Sequence, residues 1–242
     1  MDFLLEGLER LKFMTKRRSV QRRQALENES SRTPMLIIGG IIAGIVILGL
    51  AAYLILGQGS TAQGSEPLDV TGLPFRGEAD APVTMIEFSD YGCSHCRNYV
   101  LEKSEQLIDG FVETGQVKYV VYPYYLGNPL IGRATEAALC ANDQGKFFEY
   151  QRTLFQKQGQ IQYSPEELTQ VASEVGLDTE ALNQCLANGT YRDRVEQGRL
   201  TAVQRGVNST PTFFVNNQRI EGNVPYDQFV TVINQELQLA QN

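Results

Sequence analysis

Residues 83–96, with the sequence VTMIEFSDYGCSHC, decide the fold of this 242-residue chain. The first six of them, VTMIEF, are mostly β-branched or apolar and are bounded by Ala-Pro and Ser-Asp, which predicts a short buried strand. Apolar side chains then recur at helical spacing from Cys93 to Phe111. Cys93 and Cys96 are therefore predicted to lie in the first turn of a helix that follows directly on the strand.

The CSHC motif at this strand-to-helix junction has the chemistry of a redox-active dithiol. Unpaired N–H groups and the positive end of the helix dipole stabilise a thiolate on Cys93, and a protonated or hydrogen-bonding His95 adds to that effect. Cys96, one turn further on, is placed to resolve a mixed disulfide. Zinc and a purely structural disulfide are the alternatives, but Cys93, His95 and Cys96 cannot all point at one ion. We therefore predict no metal ion and no cofactor at the motif.

Strand and helix signals continue along the rest of the chain. Residues 117–122, VKYVVY, predict a second strand and complete a β-α-β unit. A long helical stretch follows, in which the SPEE sequence at 164–167 has the pattern of a capping box with proline at the first helical position. The remaining predicted elements are helices over 129–205 with an interruption near 159–163, a hairpin of strands 212–215 and 219–221, and a closing helix over 225–239. This pattern predicts an α/β fold with an all-helical insertion at about 128–207.

Residues 35–56 predict a membrane segment. These 22 residues carry no charge and comprise 18 apolar residues and four glycines. As a helix they extend about 33 Å, enough for the roughly 30 Å hydrocarbon core of a bilayer. They predict a transmembrane helix and exclude a wholly soluble cytosolic protein.

The charge of the chain differs on the two sides of this apolar run. Residues 1–34, a basic leader, contain eight Lys and Arg against five Asp and Glu, whereas residues 57–242 contain 13 against 23. The positive-inside rule places the leader in the cytoplasm and the large C-terminal part outside it. An acidic outer part also argues against nucleic acid as a partner. We expect a flexible linker at 57–67, rich in Gly, Ser, Gln and Thr, and one domain at 68–242.

Two questions about the membrane segment stay open in the sequence. A retained anchor is favoured because a secretory signal usually has a shorter apolar stretch, although the small residues at 60–62 offer a site for cleavage after Ala62. Gly40 and Gly44 form a GxxxG pattern that could bring two such helices together. Glycine is also common in membrane helices without any such pairing.

Cys140 and Cys185 lie on the same side of the membrane segment as the CSHC motif, where disulfides persist. They are 45 positions apart in the predicted helical insertion. A structural disulfide between them is the favoured interpretation. Two buried thiols, or a second redox pair that passes electrons to Cys93, are the alternatives.

Three stretches of the chain together resemble the DsbA-type thiol:disulfide oxidoreductases. They are 82–96 around the CSHC motif, 139–148 with LCANDQGKFF, and 206–215 with GVNSTPTFFV. The likeness covers about residues 73–240 and is closest to membrane-tethered bacterial members. The resemblance implies a thioredoxin-like fold with a helical insertion. Ser94 stands where many members have proline, at a position that tunes the redox potential.

The resemblance also implies roles for residues outside the CSHC motif. Thr210-Pro211 matches the loop in which a cis-proline faces the two cysteines, although an ordinary trans proline that opens a strand is the alternative. Glu87 matches a buried acid that assists proton transfer at the resolving cysteine, and burial on a central strand raises the pKa of such a carboxyl. Alternatively, Glu87 lies at a sheet edge in contact with solvent.

These features together predict a membrane-anchored enzyme that introduces disulfides into extracytoplasmic proteins. Its expected partners are unfolded or reduced protein substrates and a membrane reoxidase of the DsbB or vitamin K epoxide reductase type. A disulfide reductase or isomerase on the same fold is the first alternative. The second is a non-catalytic thioredoxin-like module that binds unfolded clients.

Overall fold

The computed structural model of the chain describes residues 67–241. The predicted basic leader at 1–34 and transmembrane helix at 35–56 lie outside the described residues, as does almost all of the predicted linker. Across residues 67–241, no helix is long and apolar enough to cross a membrane.

A five-stranded sheet forms the centre of the described domain. Its strands are β1 (Phe75–Arg76), β2 (Val83–Phe88), β3 (Val117–Tyr122), β4 (Thr212–Val215) and β5 (Gln218–Glu221), in the spatial order β1-β3-β2-β4-β5. Strands β2 and β3 are parallel, and the other neighbours are antiparallel. The strand that carries Glu87 is therefore the central one. The predicted β2, β3 and C-terminal hairpin are confirmed, whereas β1 was not predicted.

The helices surround this sheet and form the insertion. They are α1 (Ser94–Glu102), α2 (Ser104–Leu107), α3 (Pro129–Asn142), α4 (Phe147–Gln156), α5 (Pro165–Glu174), α6 (Thr179–Asn188), α7 (Arg192–Gln204) and α8 (Tyr226–Ala240). The prediction of one continuous helix from Cys93 to Phe111 is wrong in detail. The backbone departs from helical geometry at Lys103, with φ −125°, and the run ends as a π-helix at Ile108–Val112. The buried stripe is nevertheless kept, because Leu107, Ile108 and Phe111 all lie in the core.

Five helices, α3 to α7, connect β3 to β4 and confirm the predicted all-helical insertion. The capping box is present as predicted, because Ser164 accepts from the Glu167 N–H while the Glu167 carboxylate accepts from the Ser164 N–H. Close packing joins the insertion to the end of β3 at Gly198 of α7. A Cβ atom there would lie 2.0 Å from the carbonyl oxygen of Pro123, so only glycine permits this approach.

Alternate residues of β2 pack on opposite faces of the sheet. Val83 and Met85 belong to the large core cluster that also contains Cys96 and Tyr99 of α1. Ile86 and Phe88 belong to the smaller cluster on the other face. Because side chains in a strand alternate, Glu87 points to the same face as Met85, towards α1 and its cysteine.

Candidate active site

The two cysteines of the CSHC motif differ sharply in exposure. Cys93 occupies the N-cap position of α1 in an extended conformation and is partly exposed, whereas Cys96 is 0% exposed. Both are free thiols in this structure. An incoming thiol therefore meets Cys93 first, and Cys96 is reached only from within the protein.

The loop before Cys93 is held by the buried carboxylate of Asp90. Its Oδ1 accepts from the Gly92 N–H at 2.7 Å, and its Oδ2 accepts from the Leu126 N–H at 2.7 Å. The Asp90 carbonyl also accepts from the Cys93 N–H at 3.0 Å. These bonds tie the motif to the segment that leads into the insertion. Sequence reasoning did not single out Asp90, because its partners are backbone groups that leave no side-chain pattern.

The loop between α4 and α5 holds the same turn from the other side. The carbonyl oxygen of Tyr91 accepts from Gln158 Nε2 and from the Tyr163 hydroxyl, each at 2.7 Å. Tyr163 has a φ of +58°, an uncommon conformation for a residue with a side chain. The insertion thus positions the residue two places before the nucleophile.

Cys93 is an acidic thiol, with its pKa lowered to about 5. The largest cause is a hydrogen bond from the Cys96 thiol, while the Thr210 side chain and the backbone N–H groups of Cys96 and His95 add to it; partial burial opposes it. In its thiol form Cys93 donates to the Thr210 carbonyl at 3.2 Å. His95 is exposed and acts on Cys93 through its backbone N–H, so the predicted contribution of its imidazole stays a prediction.

Cys96 has the opposite character, with its pKa raised far above the usual range for a thiol. Burial is the main cause, followed by the hydrogen bond to Cys93 and the charge of Glu87. At neutral pH the pair therefore holds its negative charge on the exposed sulfur and its proton on the buried one.

Glu87 is fully buried on the central strand, so the alternative of a solvated residue at a sheet edge is wrong. Burial raises its pKa to about 7, against the opposing effects of the hydrogen bond from Tyr119 and of the Ser89 hydroxyl. The Tyr119 hydroxyl, on the neighbouring strand β3, donates to Glu87 Oε2. A carboxyl with this pKa exchanges its proton near neutral pH, which suits acid–base work beside Cys96. Sequence reasoning did not identify Tyr119, because it lies within the apolar run of a strand.

The Thr210–Pro211 peptide bond is cis and lies immediately before β4. The contact between Cys93 and the Thr210 carbonyl brings this loop to the CSHC motif across 117 positions of sequence. The alternative of a trans proline does not hold in the structure. The catalytic roles of Thr210 and Pro211 stay predictions.

A disulfide joins Cys140 of α3 to Cys185 of α6, with a Cα–Cα distance of 6.0 Å. The alternative of two free buried thiols therefore does not hold in the structure. That this disulfide is structural stays a prediction, and exchange of electrons with Cys93 stays its alternative. Within residues 67–241, no group of three or more His, Cys, Asp or Glu side chains is arranged to hold a metal ion.

Comparison with known proteins gives a consistent result. The family model described as Thioredoxin matches residues 70–235. Disulfide bond formation protein D of Bacillus subtilis is 29% identical over 187 residues, which cover 74% of this chain and 83% of the relative. The crystal structure of oxidised BdbD from Bacillus subtilis superimposes with a TM-score of 0.65 and 26% identity, covering 71% of this chain and 96% of that one.

Other relatives are much longer than this chain. The Na(+)/H(+) antiporter NhaA of Herminiimonas arsenicoxydans is 29% identical over 195 residues, which cover 76% of this chain and 30% of the antiporter. The chain thus spans less than a third of that relative's length.

Chlamydia trachomatis DsbA shares the fold at 22% identity, with a TM-score of 0.63 and coverage of 71% of this chain and 95% of that one.

Proposed function

Because the chain belongs to the thioredoxin family and is a DsbA-like thiol:disulfide oxidoreductase, we propose that it works as a membrane-anchored oxidase of extracytoplasmic proteins. In the first step, a substrate thiolate attacks Sγ of Cys93 in the oxidised pair, and Cys96 leaves with the electron pair of the broken S–S bond. In the second step, another thiolate of the same substrate attacks the substrate sulfur of the mixed disulfide, and Cys93 leaves. The substrate is then oxidised and the pair reduced.

The observation that carries the oxidising direction is the acidic thiol of Cys93 opposite a buried Cys96. A thiol with a pKa of about 5 is almost wholly ionised at pH 7, and this ionisation stabilises the reduced pair relative to the disulfide. A pair whose reduced form is stabilised accepts electrons readily. The same low pKa makes Cys93 a good leaving group in the second step.

The membrane anchor and the extracytoplasmic location rest on the sequence. The uncharged run at 35–56, the basic leader before it and the acidic domain after it support this orientation. Reduced or unfolded proteins that emerge outside the cytoplasm are the proposed substrates. A membrane reoxidase of the DsbB or vitamin K epoxide reductase type is the proposed partner, and a tether keeps the two close and raises their effective concentration.

The equilibrium of the Cys93–Cys96 pair with glutathione tests the oxidase proposal. We expect the pair to be reduced by glutathione buffers that leave a thioredoxin disulfide largely intact. The chain with Cys93→Ala is the control and should show no exchange. A potential as low as that of thioredoxin, about −270 mV, would favour the reductase or isomerase alternative. A wild-type pair that does not exchange at all would favour the client-binding module.

The location is tested separately, on intact cells. A membrane-impermeant maleimide should label Cys93 of the reduced chain in a Cys96→Ala background without lysis, because the proposed orientation places that thiol outside. Labelling only after lysis would contradict the proposed orientation. The mass of the mature chain distinguishes a retained anchor from cleavage after Ala62.

A further inference from the structure

Ser89 lies on the same face of the chain as Glu87 and Cys96. Met85 and Glu87 point from β2 towards α1, and Ser89 continues this alternation by one further step just past the end of the strand. The helix on that side carries Cys96 in its first turn. Ser89 is buried and borders a small cavity with Tyr91 and Phe147, which belong to the same core cluster as Cys96.

Two buried oxygen atoms on this face of the chain, Oγ of Ser89 and Oε1 of Glu87, have no hydrogen-bond partner within the described residues. The other carboxyl oxygen, Oε2, is already held by the Tyr119 hydroxyl. Buried polar atoms nearly always have a partner, and catalytic hydrogen bonds often tighten only when charge develops. Both atoms are therefore free to form a hydrogen bond when charge develops on Cys96.

The Ser89 hydroxyl interacts with both neighbours. It lowers the pKa of Glu87 and it lowers the pKa of Cys96, because a hydroxyl dipole nearby stabilises the charged form of each group. This agrees with the burial of Ser89 beside the core cluster of Cys96 and with the unpaired state of its hydroxyl. A hydroxyl can accept a proton from one group while it donates its own to another.

We propose that Ser89 relays the proton between Glu87 and Cys96 during thiol–disulfide exchange. The inference deepens the proposed function and depends on it for the identity of the exchanging pair. When the S–S bond breaks, Cys96 leaves as a thiolate and takes the Ser89 hydroxyl proton. Ser89 takes the proton of Glu87 Oε1, and the carboxylate that remains keeps its bond from Tyr119. Net charge is conserved, because the substrate thiolate's negative charge ends on Glu87.

Other ionisable groups also face Glu87, and none replaces this path. They are Cys93, Cys96 and Tyr99 from α1 and its N-cap, Tyr119 from β3, and Tyr91 from the loop after β2. Burial raises the pKa of all three tyrosines well above the usual range, so they stay protonated throughout the reaction. Tyr119 moreover contacts the oxygen of Glu87 that Ser89 does not use.

The test measures how fast the full-length oxidised chain in detergent reacts with reduced glutathione. Samples are acid-quenched, alkylated and sized by mass spectrometry, and each rate is divided by the thiolate fraction of glutathione. Below about pH 6, where Glu87 still carries its proton, Ser89→Ala should lower this normalised rate by about tenfold or more. Above about pH 8, where Glu87 has lost its proton in both proteins, the rates should converge.

Control variants separate the relay from a structural role. Ser104→Ala removes another buried hydroxyl, which donates to the Val100 carbonyl at 2.8 Å, and should leave the normalised rate unchanged. Ser89→Thr should keep the wild-type pH profile, and Ser89→Val, which is isosteric with the threonine variant but lacks the hydroxyl, should lose it. This comparison holds even if alanine disturbs the fold. In a Glu87→Gln chain, Ser89→Ala should cause no further loss.

A Ser89→Ala profile parallel to that of the wild type at every pH would overturn the relay. So would losses from Ser89→Ala and Glu87→Gln that multiply in the double variant. The equilibrium with glutathione is read from the same samples after long incubation. If the Cys93–Cys96 pair has a potential as low as thioredoxin's while Ser89→Ala still slows the reaction only at low pH, the oxidase proposal alone is rejected. If the pair is oxidising and Ser89→Ala shows no such pH-dependent loss, the relay alone is rejected.

Discussion

Replacement of Cys96 by alanine tests what makes Cys93 acidic. With a pKa of about 5, Cys93 is about 99% ionised at pH 7, against about 1% for a thiol at its ordinary value of 9.0. The hydrogen bond from the Cys96 thiol is the largest cause, so its removal should raise the Cys93 pKa. The Thr210 side chain and the N–H groups at the start of α1 remain, so the new value should lie between 5 and 9.

The size of the effect on the redox equilibrium follows from the same pKa. If the whole shift of the Cys93 pKa from 9.0 to about 5 is counted, it stabilises the reduced pair at pH 7 by about 2.7 kcal/mol, or about 60 mV for a two-electron couple. Cys93 is partly exposed and solvent screens its interactions, so we expect roughly half of this, about 30 mV. This stabilisation is complete above the ordinary pKa of 9.0, decreases as the pH falls below that value, and is lost once the pH has fallen through about 5.

The low pKa does little for Cys93 as a nucleophile. Ionisation at pH 7 increases the thiolate about a hundredfold, but a pKa lower by about four units weakens each thiolate about sixtyfold at a Brønsted coefficient of about 0.45. The two effects nearly cancel. The kinetic advantage therefore falls on Cys93 as a leaving group, which is the role it has when the substrate disulfide closes.

Ultraviolet absorbance of the thiolate, followed from about pH 3 to about pH 9 on the reduced chain, measures these values directly. The wild type should show a midpoint near 5 and Cys96→Ala a higher one. Cys93→Ala is the control and should show no thiolate in this range, because the pKa of Cys96 lies above it. A wild-type midpoint near 9, or one that Cys96→Ala leaves unchanged, would refute this account of the site.

Three further predictions concern stability. The folded-state pKa of Glu87, about 7, makes the wild type lose stability as the pH rises from 4.5 through 7. Glu87→Gln removes this loss, so the variant should gain about 3 kcal/mol in free energy of unfolding relative to the reduced wild type when the pH is raised from 4 to 8. Urea unfolding at both pH values checks this. Cys140→Ala/Cys185→Ala should lower the free energy of unfolding by about 4 kcal/mol in the loop-entropy model. It should leave the glutathione exchange rate of the CSHC pair within about twofold. If Cys140 and Cys185 instead passed electrons to Cys93, this variant would lose exchange. Gly198→Ala should lower the free energy of unfolding by about 1–3 kcal/mol, because its Cβ meets the rigid Pro123 carbonyl; an unchanged thermal midpoint would contradict the packing argument.

Local signals explain which parts of the fold are predictable from the sequence. The strand at Val83–Phe88 and the capping box at Ser164 are encoded by consecutive residues, and both are found where the sequence predicts them. Strand β1 has only two residues and exists because it pairs with β3, so no local pattern marks it. The break at Lys103 is equally invisible, because apolar spacing across the break is still close to helical.

The same distinction applies to the site. Cys93, Cys96 and Glu87 are close in sequence and form a recognisable motif. Their partners Tyr119 and Ser89 have ordinary residue types for a strand and a loop, and their importance comes from which atoms they meet in the fold. The pairing of Cys140 with Cys185 was the favoured interpretation, but spacing alone does not determine which cysteines meet.

The two hydrogen bonds to the Tyr91 carbonyl limit how far the domain can be divided into modules. Gln158 and Tyr163, which donate them, both belong to the insertion at 128–207. A minimised protein in which a short turn replaces the insertion keeps every residue of the CSHC motif, the cis-proline loop and Glu87. It nevertheless loses both donors, so the Tyr91 carbonyl, two residues before Cys93, no longer has these two hydrogen bonds. Grafting this active site onto a smaller thioredoxin scaffold therefore requires the loop between α4 and α5 to be transplanted with the motif.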